Sequence, residues 1–86
     1  MTEFTEVIVY YKDDCHLCEA MLAQLDQLSQ QQSSPEFHLS LRNIEDNDHW
    51  FREFREYVPV IVVNGEEVCH YFLDQEEFNT ALTRKS

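Results

Sequence analysis

The chain is poor in positive charge, in glycine and in long apolar runs. Six Lys and Arg stand against 17 Asp and Glu, a formal net charge of −11, whereas neutralising a phosphate backbone or an anionic lipid surface takes clustered cations. Neither nucleic acid nor a membrane is therefore an expected partner. No apolar stretch approaches the roughly 20 residues of a membrane-spanning helix. The start Met1-Thr2-Glu3-Phe4-Thr5-Glu6 lacks the basic end and apolar stretch of a signal peptide, so a reducing, cytoplasmic setting is expected. Three cysteines, an odd number in a short chain, do not read as a disulfide scaffold. With 86 residues there is room for one small domain, 1–86, and no second one. A monomer is expected. Hydrophobic residues make up 43% of the chain, with six Phe, four Tyr and one Trp, enough for a packed core and too many for a disordered chain.

What is there begins with Val7-Ile8-Val9-Tyr10-Tyr11, a β-branched and aromatic run that suits a strand buried on both faces. Lys12-Asp13-Asp14 ends it and leads into Cys15-His16-Leu17-Cys18. The period then changes: Leu17, Met21, Leu25 and Leu28 recur every three or four residues, an apolar stripe on a helix running to about Gln30. The two cysteines fall in its first turn. A rise of about 1.5 Å and a rotation of about 100° per residue bring the Cα atoms of i and i+3 to roughly 5 Å, inside the disulfide range of about 4.4–6.8 Å. The free N–H groups and positive dipole end of a helix favour an anion, which stabilises a Cys15 thiolate. Cys15 would attack and Cys18, one turn deeper, would resolve. Two other readings of the pair stand beside this one: half of a zinc site, or an inert structural pair. A zinc site needs two further ligands, usually a second close pair, and Cys69-His70 supplies them poorly because strand neighbours point to opposite faces. His38 and His49 are isolated.

After the polar loop Gln30–Pro35, Phe37, Leu39 and Leu41 alternate with His38, Ser40 and Arg42, the period of a strand with one face buried. Strand, helix and strand at this spacing make a parallel, right-handed βαβ unit. The acidic, cap-rich stretch Glu45-Asp46-Asn47-Asp48 opens a helix carrying Trp50, Phe51, Phe54 and Tyr57, with Arg52 and Arg55 outward. Pro59 stops it near Glu56. Val60–Val63, Asn64-Gly65 and Glu66–Phe72 read as a hairpin closed by a type I′ turn. Gly65 is the only glycine, at a position where φ > 0 is needed. Asp74 with Glu77 resembles a capping box, followed by Phe78, Ala81 and Leu82 on one helix face. The expected fold class is α/β in the order β-α-β-α-β-β-α, a four-stranded mixed sheet with three helices.

That order, with Cys-x-x-Cys at the first strand–helix junction, Tyr57-Val58-Pro59-Val60 after the second helix and Val63-Asn64-Gly65 in the hairpin, resembles the thioredoxin fold and within it the glutaredoxins. The likeness spans nearly the whole chain. It implies a thiol–disulfide oxidoreductase working through a Cys15–Cys18 dithiol on a disulfide-bearing protein or a small thiol substrate. It implies a cis-proline at Pro59 facing the redox pair, and a substrate peptide added as a strand on the backbone of Val58. Lys12 matches a lysine placed near the active thiolate and a glutathione carboxylate. Glutathione or a thioredoxin reductase would supply reducing equivalents, with no bound cofactor or metal needed. Two functions from other classes stay open, a metal or iron–sulfur carrier and a non-catalytic binding module. The chain departs from the glutaredoxin pattern in two places. His16 and Leu17 stand where Pro-Tyr is usual, and Val68–Phe72 stands where a double glycine and an acidic pair are usual.

Charge sets the expected tuning. The helix end, Lys12 and a protonated His16 favour the Cys15 thiolate, while Asp13, Asp14 and the overall charge oppose it. Destabilising the thiolate favours the disulfide, so a reducing couple is expected. His16 reads as a solvated tuning residue, and His38, His49 and His70 as surface or half-buried residues. Trp50 and Phe51 read as core or rim. Cys69 reads as a small hydrophobe in a strand, the alternative being a third redox thiol or a point of intermolecular pairing.

Overall fold

A computed structural model describes residues 5–31 and 37–83. Strand β1 (Thr5–Tyr11) leads into helix α1 (His16–Ser29), and strand β2 (Phe37–Asn43) follows. A 3-10 turn (Ile44–Asp46), helix α2 (Asp48–Phe54), strands β3 (Val60–Val63) and β4 (Glu66–His70) and helix α3 (Gln75–Thr83) complete it. Most of the loop expected after Gln30, Pro35 included, lies outside the described residues. Among the described residues no helix is long and apolar enough to cross a membrane.

The sheet runs in the order β2-β1-β3-β4, parallel between β1 and β2 and antiparallel in the other two pairings. This is the expected mixed sheet of a thioredoxin-like fold. β1, the apolar run, lies between two strands and alternates between two cores. Val7 and Val9 pack with Met21, Leu25 and Leu28 of α1 and with Phe78, Ala81 and Leu82 of α3. Tyr10, with half-buried Ile8, packs with Ile44, Val58, Val60, Trp50 and Phe54 on the other side. Each large side chain so buried contributes about 1.5–3 kcal/mol. Asn64 (φ +53) and Gly65 (φ +85) form the two positive-φ residues that a type I′ turn needs. Asp74 caps α3, its Oδ1 accepting from the Glu77 N–H at 3.1 Å.

Several boundaries and faces differ from the expectation. Leu17 is 37% exposed, because α1 is rotated so that Cys18, not Leu17, heads the buried stripe with Met21, Leu25 and Leu28. Leu41 is 52% exposed; it stands near the end of edge strand β2, where neither core reaches it. The acidic stretch is split in two. Asn43 caps the 3-10 turn through the Glu45 N–H, and Asn47 caps α2 through His49 and Trp50 N–H at 2.9 and 3.1 Å. α2 ends at Phe54, two residues early, so Tyr57 follows it in a turn and is exposed, as is Phe51. β4 stops at His70 rather than Phe72, because Tyr71 takes φ +66. A bulge in β4 slips the pairing between Ile61–Cys69 and Val62–Glu67, so both Val68 and Cys69 pack against the α1–α3 core.

Candidate functional site

Cys15 is not in the first turn of α1 but is its N-cap, with extended backbone (φ −127°, ψ 105°). Its Sγ accepts the Cys18 N–H at 3.1 Å and its carbonyl accepts the Glu19 N–H at 3.0 Å. A sulfur thus takes the place of the oxygen that usually satisfies an orphan N–H at a helix start. Cys15 and Cys18 are joined by a disulfide with Cα atoms 5.2 Å apart, as the helical spacing predicts. The two thiols differ in access: Cys15 is half-buried and Cys18 is 1% exposed.

The turn before the helix is set by Asp14, whose φ of +54° lies in the left-handed region, one that Asp and Asn tolerate better than other side chains. Asp13 accepts from Asn43 Nδ2 at 3.4 Å, linking the turn to the end of β2. Asp13, Asp14 and His16 are exposed and Lys12 is half-buried. Lys12 makes no hydrogen bond or ion pair among the described residues. Tyr10 stacks on Phe54 at 4.2 Å and meets Trp50 edge-on at 5.7 Å. Arg42 donates to Tyr10 Oη at 3.0 Å and lies over the Trp50 ring at 5.2 Å. Arg42 was unmarked in the sequence beyond its outward place in an alternating strand.

The Val58–Pro59 peptide is cis, and Val58 packs in the cluster that contains both Cys15 and Cys18. Val58 and Pro59 are buried. The Val58 N–H donates to the Phe54 carbonyl at 3.1 Å. The Val58 carbonyl accepts no hydrogen bond among the described residues. Tyr71, which sequence reasoning missed, grips this segment. Its N–H donates to the Pro59 carbonyl at 2.9 Å and its hydroxyl to the Glu56 carbonyl at 2.5 Å. No local pattern marks such a residue.

Cys69 is half-buried, and its thiol is pushed up from the ordinary value, first by burial and then by the charges of Asp74, Glu67 and Glu77, against a hydrogen bond from the Asp74 backbone. It lines a surface hollow with Val68, Phe72 and Leu73 that contains neither Cys15 nor Cys18. His38, His49 and His70 are exposed, His49 beside Glu53 at 3.3 Å and His70 beside Glu67 at 3.2 Å. Among the described residues no three His, Cys, Asp or Glu side chains gather in a metal-binding group.

The structure therefore brings together Cys15, Cys18 and the Val58–Pro59 peptide, with Asp13, Asp14 and His16 on the open side. Among solved structures, protein Ne2328 from Nitrosomonas europaea, determined by solution NMR, is similar at 36% identity over 96% of each chain, with a TM-score of 0.80. A malarial protein shares the fold at 15% identity, covering 92% of this chain and 93% of its own, with a TM-score of 0.66. No curated protein matches. The family model described as Glutaredoxin-like domain (DUF836) matches residues 6–83, nearly all of the chain and every residue of the cysteine site, and the protein belongs to that glutaredoxin-like family.

Proposed function

We propose that the protein is a thiol–disulfide oxidoreductase that reduces disulfides through Cys15 and Cys18. The observation that carries this reading is the Cys15 Sγ at the helix N-cap, accepting the Cys18 N–H while bonded to Cys18. A sulfur in that position is stabilised as thiolate by the N–H and the helix dipole, and its partner is within bonding reach without movement of the backbone.

In the reduced protein the Cys15 thiolate attacks one sulfur of a substrate disulfide. A Cys15–substrate disulfide forms, the substrate S–S bond breaks, and the other substrate sulfur leaves as thiolate. Cys18, deprotonated, then attacks the Cys15 sulfur; the Cys15–Cys18 bond forms and the second substrate thiolate leaves. Two electrons pass from the dithiol to the substrate. Two glutathione molecules, themselves joined in the process, or a thioredoxin reductase restore the dithiol. The substrate is a disulfide-bearing protein or small thiol compound, held against the Val58 carbonyl, with Lys12 near its charged end. The protein acts as a monomer in the cytoplasm, away from nucleic acid and membranes, and Asp13, Asp14 and His16 set the potential of the couple. The family and its Cys-x-x-Cys support the thiol redox class.

The test is an equilibrium titration of the pair in dithiothreitol and glutathione buffers, with free thiols alkylated and counted by mass spectrometry. A single two-electron transition between about −300 and −180 mV is expected. A pair that never closes, or a Cys15→Ser protein that still reduces disulfides at the wild-type rate, would refute the reading.

A further inference from the structure

Tyr71 is held in an arrangement that local preference alone does not favour. Its φ is +66°, and the Phe72 N–H donates to the His70 carbonyl at 2.7 Å across it. A two-residue hydrogen bond around a positive φ is a γ-turn of the rare, strained kind, and for a bulky side chain a positive φ is an outlier. Glycine would take this φ freely; a tyrosine persists there only if its side chain and backbone make contacts that offset the strain.

Those contacts converge on one segment. Residues 55–59 join α2 to β3 outside the sheet, and five backbone carbonyl or N–H ties among the described residues hold them. Three run back to α2, the Arg55 N–H donating to the Phe51 carbonyl at 3.0 Å and the Tyr57 and Val58 N–H groups to the Phe54 carbonyl at 2.8 and 3.1 Å. The other two are Tyr71's, through its N–H on Pro59 and its hydroxyl on Glu56. The His70 ring bridges them further, meeting Tyr71 at 4.8 Å and Tyr57 at 5.8 Å. The segment in turn carries Val58, which packs with both cysteines.

From this geometry we infer that Tyr71 is a positioning residue of the cysteine site. It fixes the Val58–Pro59 peptide at the height and angle where a substrate backbone pairs beside the Cys15 sulfur. The inference rests on the oxidoreductase reading above. Its chemistry is selective: a peptide disulfide that lies along Val58 depends on the tether, whereas a small disulfide without amide groups reaches Cys15 without it.

The experiment compares the wild type with Tyr71→Phe, which removes only the hydroxyl tie, and Tyr71→Gly, which relieves the positive φ but removes ring and hydroxyl together. Each is measured for kcat and KM on a disulfide-bridged peptide and on hydroxyethyl disulfide, for the equilibrium potential of the pair, and for Tm. Loss of one neutral hydrogen bond corresponds to a rise in peptide KM of about three- to tenfold. That rise is expected in Tyr71→Phe and at least as large in Tyr71→Gly, with kcat, the potential and the kinetics on hydroxyethyl disulfide unchanged. A folded Tyr71→Phe with wild-type peptide KM, whether or not its Tm falls, overturns the inference, as does an equal rise on both substrates. If the wild type reduces neither disulfide, the oxidoreductase reading fails and the inference falls with it.

Discussion

Replacing Asp13 and Asp14 by Asn isolates the effect of charge on the cysteine couple. The structure makes this pair of changes conservative in shape. Asn tolerates the left-handed φ of +54° at position 14 as Asp does, and at position 13 an amide oxygen can still accept from Asn43 Nδ2. Only two negative charges are lost. With Cα atoms spaced about 3.8 Å along the chain, the two carboxylates lie on the order of 7 Å from the Cys15 sulfur. At the dielectric of water each opposes the thiolate by roughly 0.6 kcal/mol, and at half that dielectric by about twice as much. Both side chains are exposed, so the lower figure is the better guide and salt reduces it further. About 1 kcal/mol remains for the pair, which a two-electron couple reads as about 20 mV. Removing the charges stabilises the reduced, thiolate-bearing form, and the potential rises. The assay is the dithiothreitol titration, run at low salt and again at about 1 M KCl, where the Debye length is near 3 Å. A rise of about 20 mV that largely disappears in high salt is expected. A shift below about 5 mV at low salt, a fall in potential, or a rise that salt leaves intact would refute the electrostatic argument.

Three further outcomes follow from the packing. Phe78, 0% exposed and edge-on to Phe37 at 5.3 Å, anchors α3 under the sheet, so Phe78→Ala should cost about 3–5 kcal/mol by chemical denaturation; a loss under about 1 kcal/mol would contradict the core assignment. Gly65→Ala meets no atom within 4 Å, but φ is +85°, so a loss of about 1 kcal/mol without change in the cysteine potential is expected, and an unchanged Tm would speak against the turn. The raised Cys69 thiol leaves stability intact below the ordinary thiol value and removes it as pH rises through the folded one, because the unfolded chain loses that proton first. Alkylation of Cys69 in a Cys15→Ser/Cys18→Ser protein should therefore show a midpoint above that of a model thiol, and a midpoint at or below it would count against burial.

Much of the fold is written in local chemistry. Val7–Tyr11, the Asn64-Gly65 turn and the Asp74 cap are each specified by residues next to one another, and each is found where it was read. Faces and edges are harder, because they depend on which partner arrives. The α1 stripe could be headed by Leu17 or Cys18 from spacing alone, and contact with Tyr10, Val58 and Val60 decides for Cys18. Leu41 alternates correctly with Arg42 yet is exposed, since alternation cannot reveal that β2 is an edge strand. Of the site, Cys15, Cys18 and the cis Val58–Pro59 peptide were legible, the last only through family resemblance, since X-Pro bonds are cis only about 5–6% of the time. Tyr71 was not legible at all: its φ is imposed by bonds to carbonyls some 12 and 15 residues earlier in the chain, and nothing in Val68–Phe72 signals it.

Burial orders the two thiols, and the order can be read out chemically. Met21, Leu25 and Leu28 pack on the α3 side of the sheet, while Cys18, on the same stripe, packs with Tyr10, Ile44, Val58 and Val60. The first turn of α1 therefore rides over the end of β1, with Cys18 sealed at 1% exposure and Cys15 left half-open at the N-cap. In the proposed exchange the substrate disulfide meets the open sulfur first, and Cys18 acts on the sulfur already delivered to it, which is the one it contacts. Under the proposed reaction, Cys18→Ser should then stop at the mixed disulfide and retain the substrate, adding its mass in a near-stoichiometric amount when treated with a disulfide-bridged peptide. Cys15→Ser should retain almost none at Cys18, which lies beneath the chain, and both variants carry Cys69→Ala so that the third thiol captures nothing. Intact-mass measurement under non-reducing, acid-quenched conditions distinguishes the two. Capture by Cys15→Ser to the same extent as by Cys18→Ser would mean that access does not set the order, and that either sulfur can begin the exchange.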